Sequence, residues 1–106
     1  LDMKELDLLY DVMVQYYRMT FRYADSQCRD VTDKKEMFAY IARLQLGASL
    51  SEITRYMRWK SHASAIHAIS NIGGYIEYYS GFKRQFNDII DEYEFRNAVG
   101  LLFDLQ

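Results

Sequence analysis

Residues 49–72 read Ser49-Leu50-Ser51-Glu52-Ile53-Thr54-Arg55-Tyr56-Met57-Arg58-Trp59-Lys60-Ser61-His62-Ala63-Ser64-Ala65-Ile66-His67-Ala68-Ile69-Ser70-Asn71-Ile72. Leu50, Ile53 and Met57 recur at the three- and four-residue steps of a short amphipathic helix. Ser49 or Ser51 is its start signal, and Glu52 places an acid in its first turn. Arg58-Trp59-Lys60 reads as a tight turn before a second start signal, Ser61. The layout is that of a helix-turn-helix: a short helix, a turn, then a helix whose first residues are small, polar or basic. Slim residues there suit a major groove about 12 Å wide, and the free N–H groups of a helix start suit phosphate.

The chain around this stretch reads as helical throughout. It has no proline and only 5 glycines in 106 residues. Leu6, Leu9, Tyr10, Met13, Tyr16 or Tyr17, and Thr20 predict a first helix over about 3–20, with Asp2, Glu5 and Asp7 suiting its positive end. Residues 22–32 lack a sustained period and read as a loop. A second helix is expected from Thr32 or Asp33, with Thr32 as cap and Glu36 near the position a capping box requires, ending at Gly47. Gly73-Gly74 weakens the helix that starts at Ser61 by up to ~1 kcal/mol per glycine, so an end or kink is expected there. Gly81 marks a break before a final amphipathic helix through Phe82, Phe86, Ile89, Ile90 and Tyr93. The tail, residues 94–106, with Val99, Leu101, Leu102, Phe103 and Leu105, is read as a further helix or strand, or as a partner-binding segment.

Composition bounds the function. The length fits one domain, residues 1–106, large enough to bury roughly two-thirds of its unfolded surface without a metal or disulfide. A single cysteine, Cys28, excludes an internal disulfide framework and fits a reducing compartment. No apolar run approaches the ~20 residues of a membrane span, and no signal-peptide pattern opens the chain. The chain begins at Leu1, which reads as a trimmed form or a piece of a longer protein. Net charge is -2, but the distribution is uneven. Residues 37–84 hold only Glu52 and Glu77 against Arg43, Arg55, Arg58, Lys60, Lys83 and Arg84, while residues 85–106 hold five acids against Arg96. The middle is a basic patch in an acidic protein, and a phosphate-binding surface is expected there.

Ser49-Leu50-Ser51-Glu52-Ile53 followed by Lys60-Ser61-His62-Ala63-Ser64-Ala65-Ile66-His67-Ala68 resembles the C-terminal DNA-binding domain (domain IV) of the bacterial replication initiator DnaA. That family's signature reads approximately S-L-P-E-I-G, then G-G-R-D-H-T-T-V-L-H-A, at the same spacing. Val14-Gln15-Tyr16-Tyr17 is similar to the family's V-A-E-Y-Y helix, and Phe86-Asn87-Asp88-Ile89-Ile90 to its closing F-x-x-L-I helix. The resemblance covers about residues 12–93. It implies an all-α, Trp-repressor-like helical bundle containing a helix-turn-helix, and double-stranded DNA as partner in replication initiation or its regulation.

What the resemblance implies for individual residues follows the matches. His62 is kept from the segment that reads bases. Lys60 stands for its arginine, Ser61 for its aspartate, Ala63 for its first threonine and Ser64 for its second. Ser61 keeps the ability to cap the helix, and Ala63 keeps a methyl for a thymine contact. Arg58-Trp59 replaces the family's Gly-Gly. The arginine-rich minor-groove loop is reduced to Gln27-Cys28-Arg29-Asp30, with Arg29 as its remnant, and a phosphate-binding pair at the start of the second helix is Lys35-Glu36. The expected arrangement has His62, Ala63 and Ser64 near base edges, Arg55, Arg58, Lys60 and Lys35 on phosphates, and an altered sequence preference.

Beside these, His67 reads as a packed or capping histidine, and Trp59 as either a core plug or an exposed contact. Tyr75, Tyr78 and Tyr79 read mainly as core or core edge, with a protein-contact face as the other reading, and Cys28 as a plain loop thiol. His62 and His67 are five apart, which is the wrong spacing for a helical metal pair, so no metal or other cofactor is expected. No nucleophile–base pair, phosphate loop or paired carboxylates in a recognisable cleft occur, and the chain reads as neither an enzyme nor a binder of a small-molecule substrate. Two other readings stand. One is a protein-interaction module that keeps the DnaA domain fold without specific DNA binding and meets an initiator or another helical partner. The other is the folded end of a larger initiator or mobile-element protein. The expected location is cytoplasmic, at the nucleoid when DNA is bound.

Overall fold

The starts of three helices in this chain are written by side-chain hydrogen bonds or charge pairs close in sequence, as a computed structural model shows. It describes residues 2–25 and 28–104, without the Asp104 side chain; Ser26, Gln27, Leu105 and Gln106 of the expected loop and tail lie outside the described residues. Five helices form, α1 (Met3–Tyr17), α2 (Arg29–Leu44), α3 (Leu50–Met57), α4 (His62–Tyr78) and α5 (Ser80–Asp104), and no strand occurs among the described residues. The fold is all-helical.

The α1 helix begins where the Asp2 carboxylate accepts from the Lys4 N–H, with Glu5 in the first turn. It ends at Tyr17 rather than at residue 20, because Arg18 turns left-handed at φ 59°. The chain then folds back over its own helix, where the Tyr10 hydroxyl accepts from the N–H groups of both Phe21 and Arg22. Phe21 is fully buried there.

The α2 helix starts at Arg29, a turn earlier than Thr32 or Asp33. Cys28 holds the cap position, and the Thr32 hydroxyl donates to the Cys28 carbonyl from inside the helix. Two charge pairs one turn apart, Arg29–Asp33 at 2.9 Å and Lys34–Asp30 at 2.6 Å, hold the extra turn together. Charged residues there hid the helical period. Met37, Phe38, Ala39, Ile41 and Ala42 are completely buried, which makes α2 the central helix. The helix ends at Leu44, before the expected Gly47: its cap residue Gln45 is still right-handed, and Gly47, at φ 73°, turns the connection that leads to α3.

Ser49, not Ser51, opens α3. Its hydroxyl accepts from the Glu52 N–H at 3.0 Å, and Glu52 accepts from the Ser49 N–H at 2.8 Å, a complete capping box. The α4 helix runs unbroken through Gly73-Gly74. A Cβ on Gly73 would sit 3.1 Å from the Tyr40 ring, so this glycine lets α4 lie directly on α2. The break falls at Tyr79, whose backbone is extended, and Gly81 sits within α5. The tail continues α5 without interruption to Asp104.

One apolar cluster joins all five helices, from Leu6 and Leu9 of α1 through Phe38, Ile53 and Ile72 to Ile89 of α5. Phe38 stacks on Tyr56 at 5.1 Å, and the Tyr56 hydroxyl donates to Asp7, tying α3 to α1.

Candidate nucleic-acid interface

The turn between α3 and α4 occupies residues 58–61. Arg58 closes α3 in a left-handed conformation at φ 56°, its N–H donating to the Arg55 carbonyl and that of Trp59 to the Thr54 carbonyl. Ser61 takes the extended cap position of α4, as the sequence predicts, but its hydroxyl makes no capping hydrogen bond. The first N–H groups of α4 therefore have no side-chain cap.

His62 is the first residue of α4 and is exposed. Its Nε2 lies 3.0 Å from the Ser51 hydroxyl, so the imidazole is oriented by α3. Sequence reasoning missed this partner, eleven residues away. Ala63 is exposed, whereas Ser64 is half-buried and lines a cavity of about 180 Å³ with Trp59, Lys35 and His67. Buried Ala65, Ala68, Ile72 and Ile76 set the inward face of α4. The outward face is then Ala63, Ile66, His67 and Ser70, all exposed. His67 is thus on the surface and not packed. The 63-66-67-70 spacing is the complement of the buried one.

Lys4, Arg18, Lys83 and Arg84 are exposed and take part in none of the described ion pairs. Other basic residues are used by the fold. The Arg22 Nε donates to the Tyr56 carbonyl at 2.8 Å, and its guanidinium lies over the Tyr56 ring. Arg43 donates to the Ala48 carbonyl, and Lys34 pairs with Asp30. Two expected DNA contacts belong to this group. Lys35 is 6% exposed, and its ammonium donates to the Ala24 carbonyl. Burial pulls its pKa down. The expected phosphate contact is corrected: this lysine pins the 18–25 segment to α2. Arg29 lies inside α2, paired with Asp33 and with its guanidinium 4.9 Å from the Tyr75 ring centre. It is drawn onto the protein surface and is not a loop residue reaching outward.

Arg55, Arg58 and Lys60 form a third group, at the turn and on the helix before it. All are exposed, and none takes part in an ion pair among the described residues. Arg58 is steadied by Tyr23, whose ring lies 4.2 Å below its guanidinium, with Arg22 on the same ring at 4.8 Å. The segment beside the turn is therefore 22–24. The nearby acid, Glu52, is engaged in the capping box. The Ser49 N–H holds its carboxyl down at about 2.

No family model, curated protein or solved structure matches this chain. The site is thus described by its own residues. Farther along α4, an open groove of about 410 Å³ is bounded by His67, Asn71, Tyr75, Tyr78 and Tyr79. Tyr75 is half-buried, but Tyr78 and Tyr79 stand 78% and 59% exposed, not in the core as expected. Trp59 is half-buried against the core, the plug of its two readings. Cys28 is exposed at the start of α2. No group of three or more metal-ligating side chains occurs among the described residues, and no helix is long and apolar enough to cross a membrane.

Proposed function

We propose that this chain binds double-stranded DNA through α3, the 58–61 turn and the start of α4, working as a helix-turn-helix. The observation that carries the reading is the clustering at one turn of three exposed cations, Arg55, Arg58 and Lys60, none of them in a described ion pair, beside a helix start without a side-chain cap. The resemblance to the DnaA DNA-binding domain supports the same placement, since Ser49, Leu50, Glu52 and Ile53 before the turn and His62, His67 and Ala68 after it match its signature at the same spacing. In this arrangement α4 enters the major groove with His62, Ala63, Ile66 and His67 toward the bases. The methyl groups of Ala63 and Ile66 suit thymine methyls. Arg55, Arg58 and Lys60 hold phosphates. A role in replication initiation or its regulation follows from the resemblance alone.

Anisotropy titration of a labelled random-sequence duplex tests the reading. Three phosphate contacts give a log–log salt slope near -2.7, or about a 40-fold loss of affinity between roughly 50 and 200 mM salt. Lys60→Ala is expected to reduce the slope by ~0.9. His62→Ala is expected to change the ranking of sequences, at ~1–3 kcal/mol on the preferred one. Absence of binding at the lower salt would defeat the proposal, and a slope unchanged in Lys60→Ala would remove that residue from the phosphate set.

A further inference from the structure

Two serines read as start signals for α3, and the helix uses only Ser49 as one. Ser51 is the second residue of α3, exposed and outside the capping box. Its hydroxyl lies 3.0 Å from Nε2 of His62, so a side-chain hydrogen bond spans from the start of α3 to the first residue of α4. The DnaA signature has proline at this place, so the hydroxyl is this chain's own. An exposed imidazole at a helix start otherwise turns about two side-chain bonds, and a half-turn of the ring exchanges its nitrogens for carbons. With Nε2 held by Ser51, Nδ1 is the nitrogen left for a base.

The partner of one ring nitrogen sets the state of the other. A serine hydroxyl can donate or accept, and the place of Ser51 decides between the two. It stands in the first turn of α3, where the free N–H groups of the helix make the field positive. The Glu52 carboxylate is turned back on the Ser49 N–H, and Arg55 and Lys60 add positive charge nearby in sequence. A lone pair directed at that end is favoured over an N–H. The Ser51 O–H therefore donates to Nε2, and the proton of the neutral imidazole sits on Nδ1. We infer that Ser51 is the positioning residue for base reading by His62: it presents Nδ1–H outward as a donor and selects guanine, whose N7 and O6 are two acceptors side by side in the major groove. Adenine sets an amine beside its N7, cytosine offers an amine, and thymine has a single carbonyl. This role rests on DNA binding through α3 and the start of α4.

Nitrogen-15 NMR of the whole chain without DNA, at about pH 8, reads the tautomer directly. The His62 proton is expected on Nδ1 in the parent and spread over both nitrogens in Ser51→Ala. Site selection from a randomised duplex is expected to fix a guanine in the parent. Ser51→Ala should lower the preference for that guanine about fivefold, the worth of one ordinary hydrogen bond. Its helix content, thermal midpoint and salt slope should stay as in the parent, since the capping box uses Ser49 and Glu52. Ser51→Thr, which keeps the hydroxyl, should restore the preference. In a His62→Ala background, Ser51→Ala should cost nothing further. A further loss there would give Ser51 a DNA contact of its own and overturn the positioning role. A proton on Nε2, a selected site without guanine, or a guanine preference unchanged in Ser51→Ala would overturn it as well. A parent that binds no duplex would instead remove the DNA reading, and base reading by His62 with it, whatever the tautomer.

Discussion

At the scale of the residue, two arginines sit where side chains are disfavoured. Arg18 and Arg58 end α1 and α3 at φ 59° and 56°, a conformation that costs an ordinary residue ~1–2 kcal/mol. Arg58 has a counterpart interaction in Tyr23; Arg18 is exposed and takes part in none of the described ion pairs. Arg18→Gly is therefore expected to stabilise the fold by about 0.5–1 kcal/mol, after the flexibility glycine adds to the unfolded chain. Urea denaturation checks this, and a lowered midpoint would contradict it. Glu52 acts in the opposite sense, through charge. Its carboxyl is held down at about 2 in the fold, so it stabilises the protein above the ordinary carboxylate range. That stabilisation fades as pH falls through its folded value. In Glu52→Gln, which keeps an oxygen for the Ser49 N–H, the thermal midpoint should fall less between about pH 5 and pH 2 than in the parent. Parallel curves would show that the charge contributes nothing.

At the scale of the element, the adjacent glycines of α4 have different roles. A Cβ at Gly74 meets nothing within 4 Å, whereas at Gly73 it meets the Tyr40 ring at 3.1 Å. Gly74→Ala is expected to gain up to ~1 kcal/mol of stability from helix propensity. Gly73→Ala should gain clearly less, because the Tyr40 ring, set edge-on against Phe86 at 5.4 Å, must shift. Equal gains would mean that α2 and α4 are less tightly seated than described. The pair also explains why a kink was expected and none formed: the glycine penalty is offset by the close approach it permits, and that approach depends on Tyr40, thirty-three residues earlier. The early start of α2 escaped notice for a similar reason. Its first turn is held by alternating charges that carry no apolar period.

At the scale of the whole molecule, the all-helical fold was legible because its signals are local: acids at the start of α1, a serine start signal before α3, the absence of proline, and apolar steps in between. The turn and the start of α4 at His62 were legible for the same reason. What escaped were pairings across the fold. The bond from Lys35 to the Ala24 carbonyl and the contacts of Arg29 with Asp33 and the Tyr75 ring take both out of the candidate contact set, and sequence shows only that they are basic. His67 and Ile66 face outward because Ala65 and Ala68 are the residues that fit against the body, a choice decided by packing and not by polarity.

The length of α5 has a mechanical side. Twenty-five residues of helix make a stiff rod of roughly 37 Å, in a molecule whose long dimension is 44 Å. The rod is clamped by Phe82, Phe86, Ile89 and Tyr93, with Arg96 donating to Gln15 of α1, and Tyr79 is the one residue between it and α4. A load applied at Leu102 thus acts on a lever arm whose fulcrum lies in the shared core and whose short end bears on the far terminus of α4.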